Sequence, residues 1–164
     1  VNISPKQLES AVFVREVRRI LQEVDLHDIQ LILEVTERSL LSTSGRILER
    51  IRELKQLGIQ MSMDDFGMGH SSMMYLQENA FDEVKLDGSL VRQILENERS
   101  RDIVRGITRL AASMQFHVVA EFVETREQME LLKALHCDIY QGYYYGKPCS
   151  CDEFIIKYLK QEFR

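Results

Sequence analysis

Oxygen-bearing side chains recur along this chain where short apolar runs end. Carboxylates or amides close the runs one after another, and two of the carboxylates are adjacent in sequence. Because the carboxyl ends of parallel strands open onto one edge of a sheet, side chains placed there can converge on a single pocket. The residues concerned are Asn2, Glu34, Asp64, Asp65, Asp87, Glu121 and Gln141. The pattern predicts an acidic pocket.

A pocket of this composition needs cations, because carboxylates held close together raise one another's pKa. Oxygen ligands without His or Cys suit Mg²⁺ or Mn²⁺ better than zinc. The adjacent Asp64 and Asp65 suit two ions, since one carboxylate can bridge while the ions clamp an in-line displacement at phosphorus. Such a site is typical of phosphodiester hydrolysis. The competing interpretation is that each acid is merely solvated at its strand end.

The apolar runs alternate with amphipathic segments, which predicts parallel strands joined by helices. One such segment, residues 102–114, predicts a helix with Ile103, Ile107 and Leu110 facing inward. The alternation leaves two architectures open, a doubly wound sheet and a closed (β/α) barrel. The repeated polar residues at strand ends favour the barrel, whose strand ends share one mouth. The runs are residues 30–35, 59–63, 83–86 and 117–120.

Composition limits the alternatives. A chain of 164 residues with 45% hydrophobic content can bury one core, which predicts a single globular domain. The net charge of -5 gives no basic footprint for a nucleic-acid polymer, so we expect no such partner. A small anionic ligand stays compatible, because bound metal ions can reverse the potential inside a cleft.

The cysteines indicate a reducing compartment. Cys137, Cys149 and Cys151 make an odd count and lack the spacing of a four-ligand zinc site. No apolar run approaches the length that spans a bilayer. We therefore expect a cytoplasmic domain, either free or as the cytoplasmic part of a membrane-anchored protein.

Six segments resemble, in order, the successive motifs of EAL-type cyclic di-GMP phosphodiesterase domains. The longest block, Asp64–Ser72, is highly specific, and the resemblance covers essentially the whole chain. It implies a (β/α)8 TIM-like barrel that linearises cyclic di-GMP to pGpG with Mg²⁺ or Mn²⁺, using two ions. The segments are Val1–Pro5, Leu33–Glu37, Asp64–Ser72, Val84–Asp87, Val119–Thr125 and Gln141–Pro148.

The resemblance also implies roles for individual residues. Asn2, Glu34 and Asp64 would bind the first metal ion, and Asp64 would bridge to a second ion held by Asp65. Glu121 would contact metal and orient or deprotonate the attacking water. Lys85 would lie at the reacting centre, where a cation can hold the water or offset charge on the phosphate. Residues expected to support the ligands are Glu37, Asp87 and Glu124, and those expected to contact substrate are Gln141, Phe122 and Pro148.

Four positions depart from the family pattern. Phe122 stands where glycine usually follows the catalytic Glu, and its ring could narrow the pocket or offer a stacking surface for a guanine. Gly88 replaces a residue that is commonly basic. Met68 and His70 replace the usual Thr and Tyr in the loop at residues 66–72, which in the family is associated with dimerisation and regulation.

The Glu-Ala-Leu segment that names the family, and that supplies another metal ligand, does not occur in this sequence. A complete barrel takes about 250 residues. We therefore expect residues 1–164 to be a partial EAL domain, from the end of the second barrel strand to the C-terminal helix. The parent protein would carry an upstream sensory or GGDEF domain, and the incomplete barrel would self-associate through its gap, as a homodimer or a larger assembly.

Two functions remain open at this point. A metal-dependent phosphodiesterase is supported by the retained ligand-type residues. A catalytically impaired EAL domain, acting as a cyclic di-GMP receptor or regulatory module, is supported by the missing ligand segment and by Phe122. Binding without hydrolysis distinguishes the second from the first. For the parent enzyme we expect inhibition by Ca²⁺, whose looser geometry misplaces the attacking water.

Overall fold

A computed structural model describes residues 1–26, 29–40, 46–67 and 73–159, apart from the side chain of Ser39. Its five strands form one parallel sheet in the order β1-β2-β3-β4-β5. A doubly wound sheet reverses its strand order at a switch point. This order does not reverse, and it favours the barrel arrangement. The strands are β1 Ile32–Thr36, β2 Gln60–Phe66, β3 Glu83–Leu86, β4 His117–Ala120 and β5 Ile139–Tyr140.

The helices begin at sequence-encoded caps. Ser4 and Thr125 each form a capping box with the glutamine three residues on, which satisfies backbone N–H groups at the helix start. No helix in the described ranges is long and apolar enough to cross a membrane. The helices are α1 Pro5–Glu9, α2 Ala11–Glu23, α3 Glu37–Leu40, α4 Ile47–Lys55, α5 Met73–Gln77, α6 Gly88–Arg92, α7 Glu98–Met114, α8 Arg126–Ala134 and α9 Cys151–Phe154, followed by a π-helical turn at Ile155–Leu159.

Helix α7 differs from its prediction in its start and in its buried face. It begins four residues earlier than expected, because the Asn97 side chain accepts hydrogen bonds from the N–H groups of Arg99 and Ser100. The prediction that Ile103 faces inward is wrong, since that side chain is 39% exposed and Val104 is buried in its place.

The two faces of the sheet carry different residues, because side chains alternate along each strand. On the face that packs against the helices, most apolar side chains are at most 3% exposed. The opposite face carries the charged residues Glu34, Asp64 and Lys85. The helix-facing residues are Leu33, Val35, Met61, Met63, Val84, Leu86, Val118 and Ala120.

Two aspartates fix the amino ends of the strands by the same device. Asp82 precedes β3, and its Oδ2 accepts a hydrogen bond from the Met61 N–H of β2 at 2.8 Å. Asp138 precedes β5, and its Oδ2 accepts from the Val118 N–H of β4, also at 2.8 Å. Each carboxylate thereby satisfies a backbone donor at the start of the neighbouring strand.

Candidate active site

The sheet brings the predicted ligand residues onto neighbouring strands. Asn2 forms a β-bridge with Glu34 on β1, and residue 36 of β1 pairs with Asp64 on β2. Glu121 directly follows β4, and Gln141 directly follows β5. Oxygen donors from residues far apart in sequence therefore share one edge of the sheet.

Strand β2 is longer than predicted. Asp64 and Asp65 lie inside it and not beyond its end, because β2 continues to Phe66. Its pairing with β3 shifts between Met63 and Phe66, and Asp65 has a φ of 56°. The Asp64 Oδ1 accepts a hydrogen bond from the Asp65 N–H at 2.9 Å. This bulge turns two consecutive carboxylates out of the regular alternation.

Lys85 lies between two of the carboxylates. Its Nζ is 2.7 Å from Glu121 Oε1 and 3.3 Å from Glu34 Oε1, and the residue is 5% exposed. Burial alone would lower the pKa of Lys85, but the hydrogen bond and charge of Glu121, with the charges of Glu34 and Asp64, raise it overall. The ammonium group therefore stays charged where negative groups meet.

The surroundings of Asp65 favour its uncharged form, whereas those of Lys85 favour the charged form. Desolvation, followed by the charges of Asp64 and Asp87, raises the pKa of Asp65, while Lys85 acts in the other direction. A carboxyl that holds its proton to higher pH gains most from a nearby cation.

Glu37 and Asp87 contact the backbone next to the site. Glu37 is buried, and its Oε2 accepts a hydrogen bond from the Gly67 N–H at 3.2 Å, just after β2. Asp87 caps α6, since its Oδ1 accepts from the Ser89 N–H at 2.8 Å. Met68 and His70, with the rest of residues 68–72, lie outside the described residues.

Glu124, Gln141 and Phe122 line one cavity of about 270 Å³ together with Glu121. Its shape depends on Gly142, where a Cβ atom would lie 2.2 Å from the backbone oxygen of Val123. Only glycine permits this approach. Gln141 also lines a second cavity of about 640 Å³. Pro148 lines this second cavity together with exposed tyrosines, whereas Glu121 lines the first.

Arg92 is a residue that the sequence interpretation missed. It ends α6, one helical turn after Gly88, and its guanidinium carbon lies 4.2 Å from the centroid of the Phe122 ring. The signal that could have found it is its position four residues after Gly88, on the helix that Asp87 caps.

Sequence comparison assigns the family. The sequence model of the EAL domain matches residues 1–148. The chain belongs to the EAL domain family. An uncharacterized signaling protein of Caulobacter vibrioides is 41% identical over 152 residues, which cover 93% of this EAL chain and 19% of that protein. Cyclic di-GMP phosphodiesterase NbdA of Pseudomonas aeruginosa is 35% identical over 161 residues, which cover 96% of this chain and 21% of NbdA.

Solved EAL structures share the fold. The PaMucR phosphodiesterase in complex with c-di-GMP gives a TM-score of 0.83 at 33% identity, covering 94% of this chain and 62% of PaMucR. The manganese/cy-diGMP complex of Klebsiella pneumoniae BlrP1 gives a TM-score of 0.80 at 27% identity, and the match covers 91% of this chain and 38% of BlrP1. The predicted TIM-like fold is confirmed, and the five-stranded sheet is consistent with part of such a barrel. The chain spans about a fifth of the length of the two curated relatives.

The residues of this EAL domain fit a divalent cation by donor type and by strand placement. Carboxylate and amide oxygens are the ligands that Mg²⁺ and Mn²⁺ prefer. As the side chains stand, no three His, Cys, Asp or Glu groups in the part of the chain that is described converge closely enough to hold an ion. Glu34 and Glu121 are instead directed to Lys85.

Proposed function

We propose that the protein is a metal-dependent phosphodiesterase that hydrolyses cyclic di-GMP to linear pGpG. The observation that carries the proposal is Lys85, a buried cation between Glu34 and Glu121 at the strand ends where Asp64 and Asp65 also lie. Relatives named as cyclic di-GMP phosphodiesterases support the same substrate.

The metal ligands that we propose are Asn2, Glu34, Asp64, Asp65 and Glu121. When bound there, two Mg²⁺ or Mn²⁺ ions supply Lewis-acid activation and neutralise developing negative charge. Two observations support this choice, the oxygen-only donor set and the manganese held by the related BlrP1 complex.

Individual residues of the chain then carry out separate parts of the reaction. Glu121 orients the attacking water and accepts its proton. The water oxygen bonds to phosphorus while the bond from phosphorus to the 3′ oxygen breaks. The 3′ oxygen takes up a proton from solvent and becomes a hydroxyl, and the phosphate stays on the 5′ oxygen of pGpG. Lys85 donates hydrogen bonds that hold the water or offset charge on the phosphate oxygens. Gln141 contributes a neutral amide to the metal and substrate site, and Glu37 anchors the backbone after Asp65.

We further propose that residues 1–164 are part of a longer, cytoplasmic EAL domain, joined to a sensory or GGDEF domain upstream. The short fraction of each relative that the chain spans supports this context. One relative of this kind is the bifunctional diguanylate cyclase/cyclic di-GMP phosphodiesterase MucR of Pseudomonas aeruginosa.

The test is product analysis. The full-length protein and this chain are each incubated with cyclic di-GMP and Mn²⁺, and the products are separated. We expect pGpG from the full-length protein, lost on chelation and suppressed by Ca²⁺. Binding of cyclic di-GMP with no pGpG would establish the receptor function in place of the enzyme. The absence of both binding and product would contradict both functions.

Self-association stays a prediction that sedimentation can check. The C-terminal segment exposes large apolar side chains, among them Tyr143, Phe154 and Ile156. Exposed apolar surface of this kind favours association between chains. We expect a dimer at micromolar concentration, and a clean monomer there contradicts the prediction.

A further inference from the structure

Phe122 and Arg92 form a stacked pair at the rim of the site, directly beside Glu121. The Arg92 guanidinium carbon lies 4.2 Å from the ring centroid, and both side chains are exposed. We propose that this pair is a platform on which one guanine base of the cyclic dinucleotide stacks. The inference rests on the proposed function and adds the residues that hold the base. Aromatic rings and guanidinium planes are the surfaces on which unpaired bases stack.

The backbone at Phe122 supports a functional role for this ring. Its φ is 55°, in the left-handed region that side chains with a Cβ rarely adopt. Such conformations cost free energy and cluster at ligand-binding and catalytic sites. Here the conformation belongs to the residue immediately after Glu121, so the ring and the carboxylate leave the same short turn.

Gly88 makes room for the ring. A Cβ atom at residue 88 would lie 2.4 Å from Cδ2 and 2.6 Å from Cε2 of Phe122, closer than such atoms can approach. Gly88 begins α6 and Arg92 ends it. One short helix therefore supplies both the space that the ring occupies and the cation that contacts the ring, so the three residues form one unit.

The cavity beside the platform suits a single base. Its volume is about 270 Å³, and Phe122 and Tyr143 both line it. Each ring lies near a cation, since Lys147 Nζ is 5.4 Å from the Tyr143 ring centroid. These cations favour an anionic ligand beside an otherwise acidic site. Glu121 lines the same cavity, so a base bound there brings its phosphate toward the reacting groups.

The experiment measures KM and kcat for cyclic di-GMP hydrolysis with Mn²⁺, and the Kd of cyclic di-GMP in Ca²⁺ by calorimetry. Both use the full-length protein. Phe122→Ala removes the ring, and Arg92→Met keeps the length of the side chain but removes its charge. We expect each to raise KM and Kd about tenfold or more, with a much smaller change in kcat. Arg109→Met, at an exposed position on α7, is the matched control and leaves all three values unchanged.

Gly88→Ala tests whether the space at residue 88 acts through the Phe122 ring. In the unsubstituted protein the added methyl group displaces the ring, so Kd rises. In the Phe122→Ala background there is no ring to displace, and the same substitution adds nothing. Circular dichroism melting confirms that each variant folds. A Gly88→Ala effect that persists without the ring overturns the proposed unit.

The outcomes separate the platform from the proposed function. Unchanged KM and Kd in Phe122→Ala and Arg92→Met, with normal hydrolysis by the unsubstituted protein, overturn the platform alone. Binding without hydrolysis overturns the enzyme, while the Kd values in Ca²⁺ still decide the platform. No binding of cyclic di-GMP by the unsubstituted protein overturns both.

Discussion

The two faces of the parallel sheet differ in what their side chains contact. Toward the helices, apolar residues such as Val35, Met63 and Leu86 are fully buried. The other face holds Glu34 and Lys85 in ionic contact, with Asp64 on the strand between them. Buried apolar area stabilises a fold in proportion to its size, whereas a buried charge costs free energy unless it is paired. The comparison indicates that one face stabilises the protein, while the other brings together the charged groups of the proposed site.

Glu121→Gln should produce the largest effect, a loss of catalytic rate. An amide cannot accept the proton of the attacking water, so kcat for cyclic di-GMP falls about 10²–10⁴-fold. The melting temperature should also fall, because the amide no longer pairs its charge with buried Lys85, which keeps Glu34 as its remaining partner. Glu130→Gln, on the exposed side of α8, is the control. Retention of half the activity by Glu121→Gln would remove this residue from the mechanism.

Leu86→Ala and Ser62→Ala compare the two faces by stability. Leu86 is fully buried against the helices, and its truncation should lower the free energy of unfolding by about 2–5 kcal/mol. Ser62 is also fully buried but on the other face, and its hydroxyl has no hydrogen-bond partner among the described residues. Removal of an unpaired polar group should be close to neutral or stabilising.

Urea denaturation of both variants measures this difference. Equal losses of stability for Leu86→Ala and Ser62→Ala would show that the two faces do not differ in their contribution to the free energy of unfolding.

Asp65 should give the smallest effect, a shift in the pH dependence of Mn²⁺ affinity. Desolvation and the charges of Asp64 and Asp87 raise the pKa of Asp65, so the proton competes with the metal up to higher pH than at an ordinary aspartate. Affinity therefore rises with pH through the raised pKa and falls as the pH drops through it. Calorimetric titration at several pH values measures the dependence.

Asp65→Asn, which binds no proton in this range, should flatten the dependence. Glu153→Gln is the matched control, because that carboxylate accepts hydrogen bonds from Ser150 in the cap of α9 and belongs to no strand of the sheet. Identical pH profiles for Asp65→Asn and the unsubstituted protein would show that Asp65 is not a ligand.

Much of the fold could be predicted from sequence because it follows from apolar periodicity. The β3 and β4 runs have the bounds that alternation gave, residues 83–86 and 117–120. The bounds of strand β2 were not predicted correctly, because the bulge at Asp65 depends on how β2 pairs with β3. The sequence of a single strand does not contain that pairing. The barrel itself could be predicted, from the polar residues at the strand ends and from the family resemblance, and the spatial strand order agrees with it.

The candidate site likewise has a part that could be predicted from the sequence and a part that could not. The ligand-type residues could be named because their chemistry and their place after apolar runs are written in the sequence. The contacts of Lys85 with Glu34 and Glu121 could not, since they join three strands. Arg92 was missed for a related reason. Its role depends on the gap that Gly88 leaves for the Phe122 ring, which only the folded backbone shows.

Anomalous diffraction from a crystal of the protein soaked in Mn²⁺ tests the central claim most directly. We predict two manganese peaks roughly 3.5–4 Å apart, with Glu34, Asp64 and Asp65 as ligands. Crystals without peaks at that edge of the sheet, with Glu34 and Glu121 still bound to Lys85, would contradict the account.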